Sequence, residues 1–271
     1  MTHLTKRAFV LRVVPYGENR RLLDLLSQEG EIITLSCHKG RKMGPANFLS
    51  QAFVLADFEL FYYKSRYSLD GGHLVYPFSG LQEDFDRITA LSHLAELYLD
   101  ALKSQAALPE AYKLWAYTAS RLEHATQPLL DVRISQFKFL CLLGFMPWLF
   151  DCLTCHRPYE AGMQFNFQLS GLECSHRPLH SATSPEFCLP MSPGLLASLR
   201  YIVQADLAQL FNFQISPAVQ DDLITFSDRY LTHTMEKSYQ RLRLSDEMTA
   251  FSRALQETRQ NPSPDLPEGK G

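Results

Sequence analysis

The chain has 271 residues, is 46% hydrophobic and 12% aromatic, and carries a net charge of −3. That composition supplies enough apolar material for two or three packed domains and excludes a disordered chain, a collagen-like chain and a small disulfide scaffold. No apolar run approaches the roughly 20 residues of a membrane-crossing helix, so no membrane span is expected.

The net charge hides a gradient. Residues 1–70 hold ten Lys/Arg against seven Asp/Glu, whereas the rest holds sixteen against twenty-two. Local field steers association, so a polyanion should meet the N-terminal part. The opening MTHLTKRAFVLRVV turns polar at Pro15–Arg21 and reads as a first strand rather than a signal peptide. Six Cys without such a signal predict a reducing, cytoplasmic setting in which thiols stay free or bind metal.

Along residues 1–79 the apolar pattern has period 2. Phe9, Leu11 and Val13 share one face, Ile33 and Leu35 continue it, and Val54, Ala56, Phe58, Leu60 and Tyr62 line a long strand. Gly71-Gly72, between Tyr67–Leu69 and Leu74–Tyr76, is expected to make a hairpin turn. About five strands without a long helix predict a small closed β-barrel.

From residue 80 to 150 the period becomes helical. Leu81, Phe85, Ile88, Leu91, Ala95, Tyr98 and Leu102 form a stripe, with Ser79 as the expected cap. Pro109 opens a second helix, and a third runs from Pro128 to Leu143 and stops at Gly144. Residues 151–190 break the pattern with four Cys, three His and four Pro: either a metal site or a degenerate one that no longer binds metal, its loop held by Phe165, Phe167 and Leu169. Helices return at Leu195–Val203 and Pro217–Lys237, within a unit 191–250 that packs on the helical domain. The tail 251–271, ending NPSPDLPEGKG, is predicted to be disordered. The fold class is α+β: a barrel, then an all-helical domain interrupted by the Cys-rich segment 151–190.

The strongest metal signal is Cys152-x-x-Cys155, followed by Cys174. A C-x2-C pair sets two thiolates on one turn, as a tetrahedral zinc requires. Position 177 is arginine where a second C-x2-C would close the site, so the fourth ligand falls to Cys188, the roomiest choice, or to His176, His180 or His156. Such a zinc is structural: the His-x-Glu of a zinc deaminase is absent. Lys39, Arg41 and Lys42 surround Gly40 after a strand, Lys64 and Arg66 follow the long strand, and Arg20 and Arg21 add another pair. Tyr62, Tyr63 and Tyr67 interleave with these cations, an arrangement suited to phosphates and stacked bases. Glu18 and Asp24 are expected to pair with Arg20 and Arg21. No phosphate loop or catalytic constellation is present, so the chain is not expected to be an enzyme or to use a nucleotide.

Two stretches resemble a known family. Val14, Pro15, Tyr16, Gly17, Glu18 and Arg20, then Leu22-Leu23, Gly30-Glu31-Ile32, Lys39-Gly40-Arg41-Lys42 and Phe58-Glu59-Leu60, resemble the opening of RecO, the bacterial recombination mediator. Independently, Phe137-Lys138-Phe139 through Leu142-Leu143-Gly144-Phe145-Met146-Pro147, with Cys152, Cys155 and Gly171-Leu172-Glu173-Cys174, resemble its later part. Arg177 departs from the family's zinc motif.

The resemblance implies an OB-fold, a helical domain and a zinc-finger-like insert. It implies binding to single- and double-stranded DNA and annealing of strands coated with single-strand binding protein (SSB). Cooperation with RecR in loading RecA, without ATP, is also implied. The matching loop offers Lys39, Arg41 and Lys42 for DNA, while Gly17 makes a turn. Members grip the acidic, Phe-ended SSB tail through the helical domain, for which Arg121, Arg133 and Lys138 are the candidates on this chain. The alternative is a generic OB-fold/zinc module acting on RNA.

Overall fold

The structure is a computed structural model and describes residues 2–38, 48–103, 105–174 and 185–236. The expected residues Lys39, Arg41, Lys42, His176 and His180, and the tail 251–271, lie outside them.

Five strands, β1 (Thr2–Tyr16), β2 (Arg20–Ser27), β3 (Ile32–His38), β4 (Leu55–Tyr63) and β5 (Arg66–Tyr76), close into a barrel in the order β1-β2-β3-β5-β4. β1 is long enough to serve both neighbours. Its first half pairs with β4, and from Ala8 onward it pairs with β2. Closure is completed by a short parallel contact of β3 with β5 at Leu35–Tyr67 and Ser36–Ser68.

Alternation sorts the side chains into two cores. Ala8, Val10, Leu23, Leu25, Ile33, Leu35, Ala56, Phe58 and Leu60 fill the barrel. Phe9, Leu11, Leu26 and Phe53 leave its outer wall and join the helices. The central part of β1 is therefore buried on both faces.

Gly71-Gly72 does not make the expected turn. β5 continues through both glycines, with a register irregularity at the neighbouring Asp70, and the reversal falls at Lys64-Ser65. At Gly72 a Cβ would stand 2.4 Å from the Asp57 carbonyl oxygen, so glycine here permits close approach to β4 rather than a change of direction.

Helix α1 (Phe85–Leu102) begins one turn later than expected. Asp84 is its cap, its carboxylate accepting from the N–H groups of Asp86 and Arg87 at 2.8 and 3.1 Å. Ser79 instead opens a short 3-10 turn. Helices α2 (Pro109–Leu122) and α3 (Pro128–Leu142) both carry proline in the first turn, where its missing N–H costs nothing. Helices α4 (Pro193–Gln204) and α5 (Pro217–Met235) pack on α3. Every residue of α3 from Asp131 to Leu140 is buried.

A second sheet, in the order β6-β8-β7-β9, is built from β6 (Trp148–Cys152), β7 (Gln164–Asn166), β8 (Gly171–Glu173) and β9 (Cys188–Pro190). Phe165 and Phe167 anchor it on α5, their rings 4.8 and 5.6 Å from that of Phe226. Leu169 does not share that role and is exposed. Among the described residues no helix is long and apolar enough to cross a membrane.

The barrel is seated on the helices by backbone as well as side chains. Leu108 N–H donates to the Gly30 carbonyl at 3.4 Å, and a Cβ at Gly30 would lie 1.9 Å from the Leu108 oxygen. Asp24, expected beside Arg20 and Arg21, is buried and pairs with its cross-strand partner Arg12 at 2.7 Å, and with Lys103 of the helical part at 3.7 Å. Gly30→Ala should therefore cost at least ~2 kcal/mol, because left-handed backbone (φ +80°) and the clash with Leu108 combine. A urea midpoint lowered at unchanged m-value is expected; an unchanged midpoint would contradict this seating.

Candidate nucleic-acid interface and metal centre

The cations of the barrel divide by strand alternation. Arg20 lies beside His38 across β2–β3, and both are exposed. Arg21, one residue on, turns the opposite way beside Cys37. It is half-buried, and its guanidinium donates to Ser50 Oγ at 3.1 Å. Arg21 is thus a mouth-of-barrel residue, contrary to its expected place among surface cations. Lys64 and Arg66 flank the β4–β5 turn and are exposed. The ammonium of Lys64 stands 5.2 Å from the Tyr63 ring centroid. A cleft of about 510 Å³ opens beside them, lined by Ser36, Phe61, Tyr63, Lys64, Arg66, Tyr67 and Ser68. The segment bearing Lys39, Arg41 and Lys42 begins directly after His38 in the sequence.

The thiols of Cys152, Cys155 and Cys174 lie within 4.8 Å of one another, with Cys155 and Cys174 Sγ 3.3 Å apart. The local fold explains this meeting. β6 ends at Cys152, a tight turn closed by His156 N–H to the Cys152 carbonyl returns Cys155, and β8, beside β6, delivers Cys174. Thiolates around a tetrahedral zinc stand about 3.8 Å apart, so the trio fits three of its corners after small adjustments.

Electrostatics favour the same chemistry. Burial pushes the Cys152 thiol up, but backbone N–H groups of Cys155, Thr154 and Cys174 outweigh it and bring it down to about 7.

Cys188 does not join the cluster. It begins β9, which pairs with β7 on the far side of the sheet from β6, and burial raises its thiol. The sequence distance that made it the roomiest candidate is consumed in forming that outer strand. His156, exposed, turns to Asp151 at 3.7 Å.

The three helical cations also part company. Arg121 is half exposed, pairs with Asp131 at 3.1 Å and lies over the Phe211 ring at 5.9 Å. It borders a cleft of about 300 Å³ that Ile134, Phe211, Phe213 and Ile215 make partly apolar. Burial raises the Asp131 carboxyl, while Arg121 opposes the shift.

Arg133 and Lys138 do not fulfil the expected surface role. Arg133 is 2% exposed and donates to Asp228 at 2.6 Å. Lys138 is buried, its ammonium donating to the carbonyls of Ile202, Val203 and Ala205 at 3.1, 2.9 and 2.9 Å. It closes the C-terminal end of α4. Apolar residues on every side of α3 were the sequence signal for that burial. Phe61, Phe211 and Phe213, which do line clefts, carried no pattern that separates them from core aromatics.

The family described as "Recombination protein O C terminal" matches residues 82–243, more than half of the chain. The chain belongs to the RecO family. It is similar to the DNA repair protein RecO of Acetivibrio thermocellus, 26% identical over 248 residues, covering 89% of this chain and 96% of that protein. The DNA repair protein RecO of Bacillus subtilis is 23% identical over 258 residues, with coverages of 94% and 99%. That of Desulfitobacterium hafniense is 27% identical over 236 residues, covering 85% of each chain. These RecO relatives extend along both the barrel and the matched C-terminal region.

Two measurements check the assignments on α3 and in the insert. Lys138→Ala should destabilise by about 2 kcal/mol, since it strands three helix-end carbonyls, and this is read as a lowered denaturation midpoint. Cys155→Ser should abolish retention of zinc by the purified protein, while Cys188→Ser should leave the bound metal at its wild-type level. Equal loss in both variants would place Cys188 among the ligands after all.

Proposed function

We propose that this protein is a DNA-binding mediator of recombination and repair that works without nucleotide hydrolysis in the cytoplasm. In this reading it binds single- and double-stranded DNA, anneals complementary strands coated with SSB and, with RecR, helps RecA onto gapped or broken DNA. Membership of the RecO family supports it, as do relatives named DNA repair proteins. The observation that carries it is the closed barrel, whose β4–β5 turn presents Lys64 and Arg66 beside exposed aromatic rings. Its strand order is consistent with an OB-fold, a barrel whose faces and loops bind oligonucleotides.

The physical task of annealing is to bring two polyanions together while leaving their bases free. Cations at separate points of one barrel lower the phosphate repulsion, and the bases remain available to pair. Arg20, Lys64 and Arg66 serve this on the described surface, with Lys39, Arg41 and Lys42 in the adjoining segment.

The cleft beside Arg121 suits an acidic tail ending in phenylalanine. Ile134, Phe211 and Phe213 offer the apolar wall, and Arg121 offers a guanidinium for the terminal carboxylate once it leaves Asp131. Docking there would concentrate the protein on SSB-coated strands. Zinc, held by Cys152, Cys155 and Cys174 with a fourth ligand such as His176, would brace the insert rather than take part in chemistry.

Annealing of SSB-coated oligonucleotides without ATP, across a salt series, tests this function. Annealing should weaken steeply as salt rises. Lys64→Ala/Arg66→Ala should reduce the single-strand salt slope by about 1.4, or ~0.7 per lost phosphate contact. Arg121→Ala should abolish annealing of SSB-coated strands yet spare that of bare strands. Absence of annealing at every salt concentration, with tight RNA binding instead, would overturn the reading.

A further inference from the structure

The outer face of β4 changes character along its length. Ala56, Phe58 and Leu60 point into the barrel, so Asp57, Glu59, Phe61 and Tyr63 point out. The first two carry charges, as a solvent-facing row should. The last two are aromatic, and the helical domain does not cover them: Tyr63 is 45% exposed.

Register places small or flat neighbours on both sides. Phe61 lies opposite His3 of β1 and Ser68 of β5, and Ser68 lies beside Ser36 of β3. The His3 ring is 5.1 Å from that of Phe61. Tyr63 lies opposite Arg66, and the Phe61 and Tyr63 rings are within 24° of parallel at a centroid distance of 6.4 Å. Two small serines leave the cleft open beside these rings.

Charge gives the platform a direction. At the turn end stand Lys64 and Arg66. Further along β4 the outward residues are Asp57, paired to Arg7 at 2.7 Å, and Glu59, 3.9 Å from His73. A chain of phosphates is drawn to the turn, where the cations stand without acidic neighbours on the outer face of β4.

We propose that the Phe61–Tyr63 platform stacks an unpaired nucleobase of single-stranded DNA while Lys64 and Arg66 hold the neighbouring phosphates. The proposal rests on the DNA-binding reading above and adds a ligand state to it. A duplex keeps its bases stacked inside and presents none to the platform, so the aromatic pair distinguishes single strands from double strands. Cations alone do not. Stacking is available to every base, which suits a protein that must accept any sequence.

Oligonucleotides containing 2-aminopurine, free and as duplex, test this with the full chain. Phe61→Leu/Tyr63→Leu should weaken single-strand binding about ten-fold, abolish the quenching of 2-aminopurine and leave duplex binding within two-fold of wild type. Tyr63→Phe, which keeps the ring, should bind as wild type does. Lys64→Ala/Arg66→Ala should weaken both substrates and flatten the salt dependence. Should the double leucine variant not fold, wild-type protein should still bind a single strand with abasic sites about ten-fold more weakly than its intact counterpart. Aromatic variants that bind single strands normally, or lose single strands and duplex alike, would overturn the platform while leaving the DNA-binding reading intact. A wild-type protein that binds no DNA would overturn both.

Discussion

The rest of the molecule depends on a relay of aromatic rings that crosses from the barrel wall to the centre of the helices. Phe9 of β1 lies 5.1 Å from Tyr112 and 6.4 Å from Trp115 of α2; Trp115 lies 5.2 Å from Tyr98 of α1, which stacks on Phe139 of α3 at 3.9 Å. Phe9, Tyr98, Trp115 and Phe139 are at most 1% exposed. Burying such side chains contributes roughly 1.5–3 kcal/mol each, so a relay of this size outweighs any one polar contact at the junction. The polar groups instead fix its geometry. Glu123 accepts from the Tyr76 hydroxyl at 3.0 Å and from Gly80 N–H at 3.2 Å, and Arg87 donates to the carbonyls of Gly80, Glu123 and Ala125. The outer wall of the barrel and the helices therefore share one core, beside the barrel's own.

The same constraint decides what α3 can hold. A helix enclosed by α1, α2, α4 and α5 has no solvent face, so every polar residue on it must find a partner inside. Gln136 does so twice over, meeting His93 at 2.6 Å and donating to the Ser227 hydroxyl and carbonyl at 2.9 Å. Lys138 and Arg133 do so at α4 and Asp228. These groups bind the helices to one another, and of the three candidate cations it is Arg121, on α2, that borders a cleft a ligand can enter. The insert is supported from the same side. Phe165 and Phe167 rest on Phe226 of α5, and the ring of Phe167 carries Arg229 at 4.4 Å. The thiol cluster thus sits at the end of a sheet that the helical core already holds.

Much of this was legible in the sequence because periodicity reports burial directly. The strands before residue 80 and the helices after it follow their apolar stripes, and proline at 109, 128 and 217 marks helix starts, while the helix read from Leu195 opens at Pro193. What the sequence hid are features set by partners distant in the chain. Whether Gly71-Gly72 turns or passes close to β4 depends on Asp57. Whether Arg21 faces in or out depends on the strand phase that Leu23 and Leu25 set. Whether Cys188 meets Cys152 depends on which edge of a four-stranded sheet β9 takes. In α3, Arg133 and Lys138 were candidates for gripping an acidic tail, yet apolar residues on all sides of the helix left no exposed face for them.

The distribution of surface chemistry then follows from the distribution of burial. Over its central residues β1 spends one face on the barrel interior and the other on the helices, and β4 meets the helical core only at its start, through Leu55 and the preceding Phe53. As β4 runs toward Tyr63 it moves away from that junction, so its outward side chains there have no internal partner. Charged residues satisfy that position readily, as Asp57 and Glu59 do. Phe61, partly buried, and Tyr63, exposed, do not, and leaving them uncovered forgoes the stabilisation that full burial would give. Paired with Lys64 and Arg66 at the adjoining turn, they fit a ligand that brings flat apolar faces and negative charge together, and a single strand of nucleic acid combines the two at every residue.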